Sequence, residues 1–142
     1  MGDVRLVLDT DGVVSAMRSP SGASAAIIRA ARQGRATLLM SVPLAMEYEA
    51  VCRITEHRLD AGLSISEVGI FLDGIVAMGE PVPVHFLWRP QLRDPNDEMV
   101  LEAAVNGRAD AIVTFNMRDF GAAPARFGVE LLLPRKAIGR IK

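Results

Sequence analysis

Five acidic side chains, Asp9, Asp11, Glu47, Asp97 and Asp119, are spaced along the chain so that each follows an apolar run or rides near the start of a helical pattern. Like-charged carboxylates repel, so gathering them is costly unless a cation neutralises them or protons are taken up. A hard divalent ion, Mg²⁺ or Mn²⁺, is the natural solution. Such ions prefer oxygen ligands, keep several waters, and can activate a water and steady the leaving oxygen of a phosphodiester. Each acid also has a plain structural role. Asp9 can cap a helix, Asp97 suits the positive end of a helix dipole, Glu47 can be a helix surface charge beside Glu49, and Asp119 can be a turn residue. The metal reading therefore depends on the elements that carry them.

Val4-Arg5-Leu6-Val7-Leu8 reads as a buried strand that delivers Asp9 and Asp11 at its carboxyl end. After the turn signal Ser19-Pro20-Ser21-Gly22, Ala26, Ile27, Ala30 and Ala31 keep helical spacing until Gly34. A strand over 36–40 follows. Ser41 caps a helix with Leu44, Val51 and Ile54 at helical intervals, and Glu47 lies one turn into it. Ser64 or Ser66 starts another, with Val68, Phe71, Leu72, Ile75 and Val76 on its apolar face and Gly79 at its end. Pro81-Val82-Pro83-Val84 is extended and suited to a sheet edge, because proline cannot donate to a central ladder. The loop 93–98 turns into a helix with Met99, Val100, Ala103 and Ala104 apolar, closing near Gly107. Strands over 111–115 and 130–133 complete the pattern. Strands alternating with helices predict a three-layer α/β/α sandwich around a mostly parallel sheet. In such sheets active sites form outside the carboxyl ends of the strands, where the winding reverses. All these acids are predicted on that rim.

Composition narrows the function. The chain of 142 residues, half of them apolar, fits a single domain over 1–142 with a sizeable core. No apolar run approaches the roughly 20 residues of a membrane span, and the first strand begins too early for a signal segment. A soluble, cytoplasmic protein is expected. Cys52 is the single cysteine, which excludes an intrachain disulfide and a multi-cysteine zinc site; its apolar helical setting predicts a small buried hydrophobe. A net charge of −1 argues against coating nucleic acid by bulk electrostatics. The positive charge is nearly all arginine, lysine occurring only at Lys136 and Lys142, and arginine is the better bidentate phosphate ligand.

Val7-Leu8-Asp9-Thr10-Asp11 resembles the opening motif of PIN domains, and Glu47-Tyr48-Glu49-Ala50-Val51 resembles the helix that contributes their second acid. The stretch from Arg93-Asp94-Pro95-Asn96-Asp97-Glu98, through Ala109-Asp110, to Val113-Thr114-Phe115-Asn116-Met117-Arg118-Asp119-Phe120 is similar to the C-terminal half of toxins from bacterial toxin–antitoxin systems. The resemblance implies a PIN-like fold and metal-dependent endoribonuclease activity. Asp9, Glu47, Asp97 and Asp119 would hold Mg²⁺ or Mn²⁺, with Asp94, Thr114 and Asn116 as flanking polar groups. Asp11 stands where asparagine is commoner, which adds a negative charge and leaves open whether it ligates. The resemblance further implies an RNA substrate, an antitoxin protein partner and a homodimer. In mechanism, Asp9, Asp97 and Asp119 would share one ion while Glu47 holds a second or orients the attacking water. Arg93 or Arg118 would bind flanking phosphates.

Asp9-Thr10-Asp11-Gly12-Val13-Val14 also resembles the first motif of haloacid-dehalogenase-type phosphatases, whose first aspartate is a nucleophile. That family places a lysine before its last acids, and here no lysine precedes Lys136. A non-catalytic PIN-like module that binds RNA or protein, or a receiver-like module, is the other alternative. His57 and His85 are expected away from the matched acids, as an exposed helix residue and a strand residue. Trp88, near Arg89 and Arg93, is expected to be a packing or dimer-interface residue rather than to stack on a base.

Overall fold

A computed structural model describes residues 3–85 and 91–142. The expectations for Phe86, Trp88 and Arg89 lie outside the described residues. The chain runs β1 (Val4–Leu8), α1 (Thr10–Arg18), α2 (Ala23–Arg32), β2 (Ala36–Met40), α3 (Val42–Cys52), α4 (Thr55–Ala61), α5 (Ile65–Met78) and β3 (Glu80–Pro81). It continues with α6 (Pro95–Asn106), β4 (Ala111–Val113), α7 (Met117–Phe120), α8 (Ala123–Arg126), β5 (Glu130–Leu132) and α9 (Pro134–Ile138).

The strands form one parallel sheet in the order β3-β2-β1-β4-β5. Leu6 pairs with Leu38 on one side and Ala111 on the other, so β1 is central and its Leu6, Val7 and Leu8 are almost wholly buried. Buried on both faces, such strands read as continuous apolar runs rather than alternating ones. The chain winds from β1 outward through β2 to β3, then returns to β4 on the far side of β1. The winding thus reverses between β1 and β4, where a crevice must open beyond the strand ends. Helices cover both faces, giving the three-layer α/β/α arrangement that the alternating pattern predicts. β3 lies at the sheet edge, as its prolines predict, but it covers Glu80–Pro81 rather than the expected 81–84.

Local signals set most boundaries. Ser41 caps α3 by accepting from the Leu44 N–H at 3.2 Å. Of the two candidate starts, Ser64 caps α5 in a reciprocal capping box with Glu67. Gly34, at φ 78°, ends the turn after α2. The buried stripe of α3 differs from the expected one: Leu44, Tyr48 and Cys52 face the core, while Ile54 is exposed and caps α4. Helices α1, α4, α7, α8 and α9 are absent from the sequence-based expectation. α1 was legible in principle, since Val13, Ala16 and Met17 keep the i, i+3, i+4 spacing and are buried. Among the described residues no single helix is long and apolar enough to cross a membrane.

Candidate active site

β1 ends at Leu8 and the chain turns directly into α1, so Asp9 is fixed at the N-cap with extended backbone. Its carboxylate accepts from the Thr10 N–H at 2.8 Å and from the Thr114 hydroxyl at 2.7 Å. Thr114 follows β4, the strand paired with β1, and is fully buried. Its Oγ1 in turn accepts from the Asn116 N–H at 2.9 Å. Asp11, in the first turn of α1, receives the Phe115 N–H and the Asn116 side-chain amide, both at 3.1 Å, on Oδ2. The two strand ends are thus stitched together by Asp9, Asp11, Thr114 and Asn116.

α3 brings Glu47 to the same place. Tyr48, completely buried beside it, donates its hydroxyl to the Leu8 carbonyl at 2.5 Å and holds α3 against the end of β1. Glu49 points elsewhere and pairs with Arg53 at 3.3 Å, so the two acids of this helix are told apart. From the other side, Asp94 caps α6 through the Asn96 N–H at 2.9 Å, and Asp97 lies in the first turn of that helix. Asp119 comes from α7, which starts just after Asn116.

Asp9, Asp11, Glu47, Asp94, Asp97, Asn116 and Asp119 all line one cavity of about 770 Å³. Every acid predicted from the sequence reaches it, and Thr114 supports it from beneath. Glu98, not foreseen, is the hidden support of the opposite wall. It is only 4% exposed, and its carboxylate accepts from the Gln91 and Leu92 N–H groups at 2.6 and 2.7 Å, which fixes the loop leading to Asp94. Its helical spacing puts it on the face of Leu101 and Glu102, which the structure shows to be buried.

His57 corrects an expectation. It lies on α4 half-buried in the wall of the acidic cavity, and its Nδ1 is buried without a hydrogen-bond partner. α4 is held there partly by Arg18 of α1, which meets Asp60 at 2.9 Å. His85 is also corrected: it is exposed, beyond the end of β3, and its N–H donates to Asn106 at 3.2 Å. Cys52 is buried as expected, and burial pushes its thiol up to about 11.

The electrostatics show the cost of the cluster. Burial, followed by the charge of Asp9, pushes Asp11 up to about 6. Partial burial pushes Asp97 up to about 6 as well, with the charges of Asp9, Asp94, Asp119 and Asp11 adding to it. Burial also raises Asp9, against the opposing pull of Thr114 and Thr10. Asp11 Oδ1 is buried without a partner, in a cavity lined by five other acids, Asp9, Glu47, Asp94, Asp97 and Asp119. These are hard oxygen donors that lack a positive charge, which fits Mg²⁺ or Mn²⁺. Among the described residues no three Asp, Glu, His or Cys side chains form a ready-made direct-ligand cage.

Compared with known protein families, residues 5–118 match the PIN domain. No curated protein sequence matches the chain.

Proposed function

The chain belongs to the PIN-domain family, and on that premise we propose that it is a metal-dependent endoribonuclease, the toxin of a toxin–antitoxin pair. PIN domains are in general nucleases that use divalent metal ions. The observation that carries the reading to this chain is the convergence of Asp9, Glu47, Asp97 and Asp119 on one cavity at the reversal of the sheet.

Asp9, Asp97 and Asp119, with Glu47, would hold Mg²⁺ or Mn²⁺, which when bound supplies charge neutralisation and a water of lowered pKa. Thr114 and the Thr10 N–H orient the Asp9 carboxylate, and Tyr48 fixes the helix that presents Glu47. Glu47 would accept a proton from an attacking water or help hold a second ion. Asp94, Asp11 and Asn116 complete the polar lining. Lys136, in α9, does not line the cavity, which counts against the phosphatase alternative.

An antitoxin and a second copy of the chain are the proposed protein partners, in the cytoplasm. Exposed apolar side chains support such contacts: Val42 and Met46 on α3, and Ile65, Ile70 and Val76 on α5.

The test is cleavage of one structured and one single-stranded RNA in Mg²⁺ or Mn²⁺ by wild type, Asp9→Asn and Asp97→Asn, prepared identically. Each variant is expected to lose roughly 100-fold or more in rate while remaining folded. Mg²⁺ is expected to raise the thermal midpoint of wild type more than that of Asp97→Asn. Equal cleavage by all three preparations would expose a contaminant. No cleavage, together with hydrolysis of a small phosphomonoester, would favour the phosphatase, and neither activity would favour a binding module.

A further inference from the structure

The cavity of about 770 Å³ extends beyond its acids. Its lining continues along one face of α1 through Val14, Ser15 and Arg18 to Ser19 at the C-cap, and is completed by Val51 of α3 and His57 of α4. At the helical rise, Arg18 stands about 10 Å along the axis from Asp11, two turns on. That is comparable with the span from a phosphate to the far edge of its own base. A nucleotide whose phosphate lies at the carboxylates therefore reaches into this arm.

The arm differs in chemistry from the acidic end. Val14 is 8% exposed and Val51 half-buried, so its sides are apolar, while Ser15, Ser19 and His57 supply a few polar groups. Apolar walls with a small number of placed polar groups are the usual make-up of a site for a small ring-bearing ligand. Arg18 is taken up by Asp60 at 2.9 Å, and Asp60 follows His57 by one turn on α4, so this pair holds the His57 face of α4 against α1.

His57 serves no bond of the fold. Neither of its ring nitrogens is hydrogen-bonded among the described residues, and Nδ1 is buried. A proton on Nδ1 would find no acceptor there, so the neutral ring carries it on Nε2. Nε2 is thus the nitrogen left to meet a ligand in the cavity, and it does so as a donor. Bases of single-stranded RNA are bound in this way, their faces against side chains and their edges hydrogen-bonded.

We propose that this arm is a nucleobase subsite. It takes the base of the nucleotide whose phosphate lies at the carboxylates, flanked by Val14 and Val51 and met on its edge by His57 Nε2–H and the serine hydroxyls. A base seated there is unpaired, so the RNA is cut where it is single-stranded. The proposal rests on the nuclease reading for its ligand, but its own observable is binding.

The experiment is a nuclear magnetic resonance titration of the full chain in Ca²⁺ with each of the four nucleoside 5′-monophosphates and with ribose 5-phosphate, which lacks the base. The readout is the ratio of nucleotide to ribose 5-phosphate affinity. The proteins are wild type, His57→Ala, Ser15→Leu, which fills the arm from α1 with a better helix former, and Phe115→Ala. Phe115 is an exposed ring that lines the cavity near the acids and is the other place where a base could stack. For at least one base the wild-type ratio is expected to be roughly tenfold or more. His57→Ala and Ser15→Leu are each expected to lose most of that gain, and Phe115→Ala to keep it. Circular dichroism shows which variants are folded, and because the two arm variants lie on different helices, either one decides if the other unfolds.

No gain from any base in wild type, a gain retained in a folded arm variant, or a loss confined to Phe115→Ala would overturn the proposal. A gain that depends on the arm, in a protein that cleaves no RNA in Mg²⁺ or Mn²⁺, would sink the nuclease reading and leave a nucleotide-binding arm standing. RNA cleavage without any gain from the base would do the reverse.

Discussion

The Thr114 hydroxyl donates to Asp9 Oδ2 at 2.7 Å, joining residues 105 positions apart in sequence across the neighbouring ends of β1 and β4. Asp9 is 7% exposed and Thr114 not at all, so the bond sits where water cannot replace it. Thr114→Val keeps the shape but removes the donor to Asp9 and the acceptor of the Asn116 N–H. A loss of about 1–3 kcal/mol of stability is expected, with a fall in RNA cleavage. Thr114→Ser is expected to restore both. Urea titration and cleavage rates decide it, and a fully active, fully stable valine variant would remove Thr114 from the site.

Glu47 and Glu49 share a helix but not a role. Glu47 lines the acidic cavity, whereas Glu49 pairs with Arg53 in solvent. Glu47→Gln is expected to slow cleavage by about 100-fold, the scale of a lost general base. Glu49→Gln is expected to leave the rate unchanged and to cost at most about 0.5 kcal/mol. Equal effects of the two changes would show that Glu47 acts only through general surface charge.

Asp11 makes stability depend on pH in an unusual direction. Its folded-state value of about 6 lies above that of an ordinary carboxyl. Between about pH 4 and pH 6 the folded chain therefore keeps a proton that the unfolded chain has released, and folding is favoured at the acid end of this window. In the absence of divalent ions, wild-type stability is expected to fall relative to Asp11→Asn as pH rises through this window, then to run parallel above it. With allowance for a partly solvated group, the change is about 1 kcal/mol, or roughly 4 °C in thermal midpoint. Thermal melts in chelator from pH 4 to pH 8 measure it. A constant gap between the two proteins would contradict the cause assigned here.

Glu98 supports the site without reaching it. Glu98→Ala leaves the Gln91 and Leu92 N–H groups without their acceptor, at a cost of about 2–4 kcal/mol for the pair. It also loosens the loop that presents Asp94, so Mg²⁺ is expected to stabilise the variant less than wild type. Glu98→Gln retains an oxygen in the same place and is expected to recover most of both effects. A Glu98→Ala protein with undiminished stability and Mg²⁺ response would show that the loop holds itself.

Much of this was written in local sequence. Apolar runs of strand length, caps at Ser41 and Ser64, and the stop at Gly34 define elements through contacts only a few residues apart. The acids Asp9, Asp97 and Asp119 stood out because each lies at such a boundary, and the same boundaries place them on one rim of any parallel sheet. Local pattern could not tell which acid beside another turns inward. Asp97 and Glu98 are adjacent, and only the packing of α6 against β1 and β4 sends one to the cavity and buries the other beneath the loop. His57 is the plainest case, since its place in the cavity wall depends on α4 docking against α1 and α3. The order β3-β2-β1-β4-β5, which sets Thr114 against Asp9, was likewise decided by long-range pairing. Sequence determined the elements and the chemical character of their ends, because those follow from periodicity and capping. Tertiary structure decided which ends meet, because that follows from the burial of surfaces far apart in the chain.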